Sequence, residues 1–367
     1  MGKGNGGEAT LRTTPVIARR GDAAPQSYDP LQWLKREYDG AERALAFPFE
    51  QPKAIPSWRR RLRKELGDAL GFPLYRPVPL APKLLSTEPG NGFVRRCYEL
   101  ETLPGLKTVV FVILPAEMTG PVPGLVCCSG HTSSVNELVG LACDGSDREL
   151  FTGYQHDFAL QAAREGFVAA AHEQIAWGRR QAFRHLQKTP GVHGCWQIAM
   201  DAIQLGMSLP GLRAFEAIRV GDLLRTLPEV ITRRIAVAGI SSGGNVCLFA
   251  GAMDKRFSAV VTSGYFCTFR DSIVAQHHCM DHYVPGLGRI AEMCDVAALV
   301  APNTFMSETG TEDGGFPVQA VRQSFADLKR AYEMMGVGDR CNLHVFRGDH
   351  HWEGVRVWPW LRKMMAA

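Results

Sequence analysis

Nowhere in its 367 residues does the chain carry the roughly 18 consecutive apolar residues that a membrane-spanning helix needs, so no membrane association is expected. The opening residues, Met1-Gly-Lys-Gly-Asn-Gly-Gly-Glu8, lack the apolar core of a secretory signal, and Arg19-Arg20 runs into sequence too polar for twin-arginine export. Residue 6 is Gly where myristoylation after Met1-Gly2 would want Ser or Thr. C-x-x-C spacing is missing, and no His/Cys pair stands at zinc-finger spacing, so the ten cysteines suggest neither a disulfide framework nor a structural zinc site. Several lie inside apolar runs, as Cys127, Cys128 and Cys247 do, where a thiol behaves as a small buried hydrophobe. A reducing cytoplasm is the compartment that fits. Charge of one sign is also scarce: 41 Lys and Arg against 37 Asp and Glu leave a net +4, interspersed rather than striped, so no nucleic-acid partner is expected.

What is present is apolar material for a large core, 46% of the residues, with no internal repeat. Residues 1–26 are rich in Gly, Thr and Arg without periodicity and read as a flexible arm. An N-terminal helical extension is expected over 27–78. Asp29-Pro30 caps a first helix whose repeat runs through Leu31, Trp33, Leu34, Tyr38 and Leu45; Ser57 caps a second, ending at Gly71. The basic cluster Arg59-Arg60-Arg61, Arg63 and Lys64 reads as the solvated face of that amphipathic helix. A catalytic domain is expected over 79–367. It opens with β-rich runs at 83–87, 92–101 and 107–114 joined by turn residues, as antiparallel strands are. A fully apolar run follows at 124–128, then further strand patterns at 167–171, 234–239, 257–263, 304–307 and 342–346, separated by helical patterns. Strands apolar on both faces belong to a parallel sheet covered by helices, so the fold class is α/β, mostly parallel and doubly wound, with an antiparallel start.

One stretch organises the rest. Arg234-Ile-Ala-Val-Ala-Gly239 is a buried-strand pattern that breaks at Gly239-Ile240-Ser241-Ser242-Gly243 and resumes as a small-residue helix. G-x-S-x-G between strand and helix is a nucleophile elbow, which presents a serine on a turn too tight for neighbouring Cβ atoms. Ser241 has Gly two before and two after; Ser242 has Ile240 two before, so Ser241 is the candidate nucleophile. A serine hydroxyl needs a base to take its proton, and a carboxylate to orient that base. Later loops supply both in chain order: Glu308 to Asp313 after one strand, and Asp349-His350-His351 after the last.

From about residue 105 to 360 the chain resembles the dienelactone-hydrolase-like and acetyl-xylan-esterase-like branch of the α/β-hydrolases. The similar parts are Gly130-His131, Trp177-Gly178-Arg179, the elbow, Tyr283-Val-Pro-Gly-Leu287, Gly310-Thr-Glu-Asp313 with Phe316-Pro317, and Phe346-Arg-Gly-Asp-His350. The resemblance implies an α/β-hydrolase fold, with Ser241 as nucleophile, Asp313 as acid and His350 as base. It also implies an oxyanion hole from the backbone N–H groups of Ser242 and His131. Dienelactone hydrolases carry cysteine where Ser241 stands, so their lactone substrate does not transfer. The family's usual His-Gly is Ser129-Gly130 here, which bears on how that loop is held.

Within the loops alternatives stay open: Glu308 and Glu312 compete with Asp313, and His351 with His350. Trp177 and Arg179 are candidate pocket residues or loop anchors, with His351 near them in the pocket if it is not the base. His277-His278-Cys279-Met280-Asp281-His282 looks like a metal cluster, yet its spacing matches no standard ligand set, and packing or pocket lining is the expectation. The reading is therefore a serine esterase acting on a small-molecule ester through an acyl-enzyme, with no cofactor or metal and with a homo-oligomer allowed. Amide, thioester or carbon–carbon cleavage on the same triad, or a non-catalytic ligand-binding role, are the alternatives.

Overall fold

The computed structural model describes residues 29–142, 144–148, 153–182 and 194–366. The expected arm at 1–26 lies outside the described residues, as does 183–193 of the polar loop. Helix α1, Pro30–Asp39, starts as its sequence predicts: the Asp29 carboxylate accepts from the N–H groups of Leu31 and Gln32 at 2.9 and 3.3 Å. It ends before Gly40, so Leu45 is not part of its repeat. This helix belongs to a unit separate from the one formed by Ala41–Ala367.

Helix α2, Ile55–Leu70, begins two residues before the expected cap, with Pro56 in its first turn where a missing N–H costs nothing. Ser57 therefore lies inside the helix, where its hydroxyl donates to the Ala54 carbonyl at 2.8 Å. Trp58, Leu62, Leu66 and Leu70 fall on one face and are buried. The basic cluster divides. Arg60, Arg61 and Lys64 are exposed as expected, whereas Arg59 and Arg63 are half-buried and donate to the carbonyls of Leu299 and, from Arg63, of Ala252 at 2.9 Å. Guanidinium groups that satisfy buried chain ends are structural clamps rather than a solvated face.

One 9-stranded sheet has the order β1-β2-β3-β5-β4-β6-β7-β8-β9. Strands β1 (Lys83–Gly90), β2 (Phe93–Leu103) and β3 (Leu106–Pro115) pair antiparallel, and β3 pairs antiparallel with β5 (Val168–His172). Beyond that edge every pairing is parallel, through β4 (Val122–Cys128), β6 (Val230–Ile240), β7 (Ala259–Ser263), β8 (Thr304–Gly310) and β9 (Cys341–Phe346). Among the described residues the α-helices that follow α2 are α3 (Phe158–Arg164), α4 (Cys195–Gln204), α5 (Leu209–Thr226), α6 (Ser242–Met253), α7 (Met293–Ala298), α8 (Val318–Met334) and α9 (Val357–Ala366).

The alternation of side chains divides the apolar runs between two layers. Leu125, Cys127, Ala236, Ala238, Ala259 and Val261 share a core cluster with Phe158 of α3, Trp352, and Trp358 and Leu361 of α9. On the other face lie α5 and α6; a β-carbon on Gly251 of α6 would come within 2.3 Å of Val260, so that helix sits directly on β7. No helix among the described residues is long and apolar enough to cross a membrane.

Glu308 stands in β8 with no exposure at all. Its carboxyl accepts the N–H groups of Glu353 and Gly354, each at 3.1 Å, and so ties the strand to the chain ahead of α9. Burial, with the charge of Glu353 adding to it, pushes its pKa from 4.5 up to about 7 against the opposing bonds from the two N–H groups.

Two outcomes follow from this packing. Leu66→Ala is expected to cost about 2–5 kcal/mol in urea denaturation, the range for emptying a buried leucine site. Glu308 binds its proton more tightly folded than unfolded, so its contribution to stability is complete below pH 4.5 and is lost as pH rises through about 7. Glu308→Gln should flatten that fall in denaturation curves collected across the same window, and an unchanged slope would contradict the assignment.

Candidate active site

Strand β6 delivers Ser241 to the carboxyl edge of the sheet, and the turn there is set by lack of space. A β-carbon on Gly239 would lie 2.5 Å from the Gly243 carbonyl oxygen, and one on Gly243 would lie 2.0 Å from that of Cys128. Only glycine fits both positions. Ser241 itself sits at φ 56°, ψ −124°, backbone that a side chain rarely adopts and that neighbouring contacts must hold. Its N–H donates to the Ser263 carbonyl at 2.9 Å, which fastens the turn to the end of β7. Ser242 is the first residue of α6, so its N–H is one of those a helix leaves without an internal partner.

Next to Ser263, Gly264 at φ 50° leaves room for the two groups that follow. A β-carbon on it would be 2.9 Å from His350 Nδ1 and 3.2 Å from Asp313 Oδ2. Those two atoms face one another at 2.7 Å. The other oxygen of Asp313 accepts from the N–H groups of Gly315 and Phe316 at 2.9 and 3.2 Å, so the buried carboxylate is fully bonded and rotationally fixed. Phe316 stacks on the imidazole of His350 with ring centres 5.9 Å apart. Neither alternative acid reaches this histidine: Glu308 is bonded to Glu353 and Gly354, and Glu312 lies exposed, 4.0 Å from Arg347. His351 bonds instead to Asp349, at 2.6 Å, and packs on Phe346.

His131 follows β4, in a loop held from three sides. Gln174 donates to both the carbonyl and the hydroxyl of Ser129, at 2.8 and 2.9 Å; Gln155 accepts the Gly130 N–H at 2.9 Å. Tyr154 donates to the His131 carbonyl at 3.0 Å. The Ser129-Gly130 departure thus has its own anchor, since Ser129 offers Gln174 an acceptor. Tyr154 also neighbours Ser241 and lies 5.3 Å, ring to ring, from His350. Burial holds the Tyr154 phenol well above its ordinary pKa, so it stays protonated. Sequence reasoning missed Tyr154, Gln155 and Gln174; no motif marks them, because each works by where the fold delivers it.

Trp177 is fully buried, its ring centre 5.1 Å from that of His131 in an edge-on arrangement, with Arg213 stacked over it at 4.5 Å. Arg179 is exposed and lines a separate cavity of about 330 Å³ beside Leu85, Cys97 and Ser133. In the histidine-rich run, His282 is buried and stacks on Tyr265 at 5.6 Å, while His278 packs on His282 and Phe316. Burial lowers the His282 pKa to about 4, which makes it a neutral wall residue near neutral pH. His277 is exposed.

A sequence model described as the Abhydrolase family matches residues 41–353. YtaP of Bacillus subtilis (strain 168), named as a hydrolase, is 22% identical over 305 residues, covering 80% of this chain and 93% of that protein. Among solved structures, a Bacteroides fragilis NCTC 9343 protein named as an acetyl xylan esterase superposes with a TM-score of 0.77 at 19% identity, over 95% of this chain and 97% of that one. The glucuronoyl esterase from Solibacter usitatus gives a TM-score of 0.62 at 17% identity, over 86% and 93%. These structural likenesses establish a shared fold. The family match spans most of the sequence, and on that ground the chain belongs to the Abhydrolase family, with the α/β-hydrolase fold that its strand order displays.

Proposed function

We propose that this chain is a serine hydrolase that cleaves a carboxylic ester through an acyl-enzyme, with Ser241 as nucleophile, His350 as base and Asp313 as the acid that orients it. The observation that carries the reading is a serine at φ 56° on a strand-to-helix turn, beside a histidine bonded at 2.7 Å to a buried carboxylate. Asp313 takes the Nδ1 proton of His350 as a hydrogen bond, which leaves Nε2 unprotonated and able to act as a base. Ser241 gives its proton to Nε2 as its oxygen attacks the ester carbonyl. The N–H groups of Ser242 and His131 receive the charge that moves onto the carbonyl oxygen. Collapse breaks the carbon–oxygen bond, and the alcohol leaves with the proton from His350. Water then attacks the acyl-enzyme, giving its proton to His350, and the acid departs as Ser241 recovers its proton.

Ester as the bond type draws on the two structural neighbours, whose names both denote ester hydrolysis, and acetyl or another small acyl group is the substrate class we carry over. Tyr154 acts as a positioning residue through its bond to the His131 carbonyl at 3.0 Å.

Ser241→Ala and His350→Ala should each lower kcat/KM for p-nitrophenyl acetate by about 10⁴-fold or more, and Ser241→Ala should abolish labelling by a fluorophosphonate probe. His351→Ala, which breaks a bond to Asp349 and a packing contact with Phe346, should stay within about 3-fold of the parent. Full labelling of Ser241→Ala, or loss of activity in the His351 variant alone, would overturn the assignment. Tyr154→Phe removes one anchor of about 1–2 kcal/mol, so kcat should fall roughly 5- to 30-fold while probe labelling is slowed but retained.

A further inference from the structure

Four side chains from three separate segments converge behind the His131 loop. His131, Cys195 at the start of α4, Cys279 and Asp281 each offer one donor atom, and all four atoms lie within 4.8 Å of one another. Two of the separations are 3.4 Å, between His131 Nε2 and Asp281 Oδ2, and 3.7 Å, between Cys195 Sγ and that same oxygen. Donors at the usual zinc distances on the corners of a tetrahedron stand about 3.3 Å apart for nitrogen and oxygen and about 3.5 Å for oxygen and sulfur. The cluster is therefore already near the size that a tetrahedral ion requires.

Charge and hydrogen bonding agree with this. Asp281 has no exposed side-chain surface, and its Oδ1 is buried without a hydrogen-bond partner. Arg213 donates to Asp281 Oδ2 at 2.5 Å and to Cys195 Sγ at 3.2 Å, and its Nε is held by the Ile175 carbonyl at 2.9 Å. A cation that bonds to two ligands from outside is the kind of partner that orients metal ligands without displacing the ion. With both thiols ionised, two thiolates and a carboxylate outweigh one guanidinium by two negative charges, which a single divalent ion cancels. Two sulfurs, one imidazole and one carboxylate favour a borderline-soft ion over calcium or magnesium. Four protein donors also leave no open corner, as in structural rather than catalytic sites.

We propose that His131, Cys195, Cys279 and Asp281 bind one zinc ion, which fastens the loop after β4 to α4 and to the segment that carries Asp281. On binding, each cysteine loses its thiol proton to solvent and forms a sulfur–zinc bond; no electron is transferred. The proposal does not depend on Ser241 being a nucleophile, because its readouts are metal content and melting.

The test uses the full chain, purified without chelators and then stripped and titrated with zinc. Elemental analysis should find about one zinc per chain, and zinc added to stripped protein should raise its melting temperature. Cobalt in place of zinc should give the charge-transfer absorption of thiolate ligands, a signal that needs no variant. Cys195→Ser and Cys279→Ser should each weaken zinc at least about 100-fold in a chelator competition, whereas Cys97→Ser, on β2, should not. A stripped chain that takes up no zinc or cobalt, zinc that stays bound in the Cys195→Ser, Cys279→Ser double variant, or a Cys195–Cys279 disulfide found by mass spectrometry in the purified protein would each overturn the proposal.

Discussion

The carbonyl oxygen of Cys128 stands where any side chain on Gly243 would have to be, 2.0 Å from the place of its β-carbon. That single close approach lets β4 and β6 lie as neighbours while the chain turns from β6 into α6 without stepping away from the sheet. The turn can then be tight enough to lift Ser241 into φ 56°, with its N–H returned to the Ser263 carbonyl. Backbone strain of this kind, on the order of 1–3 kcal/mol, persists only where the surroundings over-determine it. Here the surroundings are two parallel strands and a helix whose residues from Ser242 to Ala252 are all buried.

The same shortage of space governs the other candidate residues. Gly264 keeps the end of β7 bare, so His350 and Asp313, brought from the ends of β9 and β8, can meet over it. Glu308 is used differently: it caps the N–H groups ahead of α9 from within the sheet, and this fixes the chain on which Trp352 packs against Phe158. Two carboxylates on one strand and its following loop thus play different parts, because one is sealed by backbone donors and the other is open to an imidazole.

Around the His131 loop the structure relies on paired charges within the protein. Glu216 of α5 receives two bonds of 2.7 Å from Arg180 and one of 2.6 Å from Thr102, all largely out of water. Arg213, one turn earlier, holds Asp281 and covers Trp177. Removing one partner of such a pair strands a buried charge, which costs far more than the pair contributes. Helix α5 is therefore also the brace of the loop between β5 and α4. The strap after Gly40 is tied down in a similar way. Leu45 and Phe47 bond to Ile290 and Asp295, and the indole of Trp58 donates to the Leu45 carbonyl at 2.8 Å.

Local signals in the sequence determined most of the architecture. Strand runs, their burial on both faces, the antiparallel start and the elbow are each written in a short run of consecutive residues, because periodicity and turn geometry act over that range. The start of α1 is legible for the same reason, whereas α2 begins three residues ahead of the start that a Ser57 cap implies, because Pro56 and Ser57 are both acceptable in a first turn. What only the tertiary structure decided are choices between near neighbours and unions of distant ones. That Asp313 meets His350, while Glu308 and His351 bond elsewhere, depends on which side chains point across Gly264. The gathering of His131, Cys195, Cys279 and Asp281, and the reach of Tyr154 to Ser241, bring together residues far apart along the chain. Such contacts arise where strand order and helix packing deliver chain ends to one edge of the sheet, and no pattern of neighbouring residues encodes them.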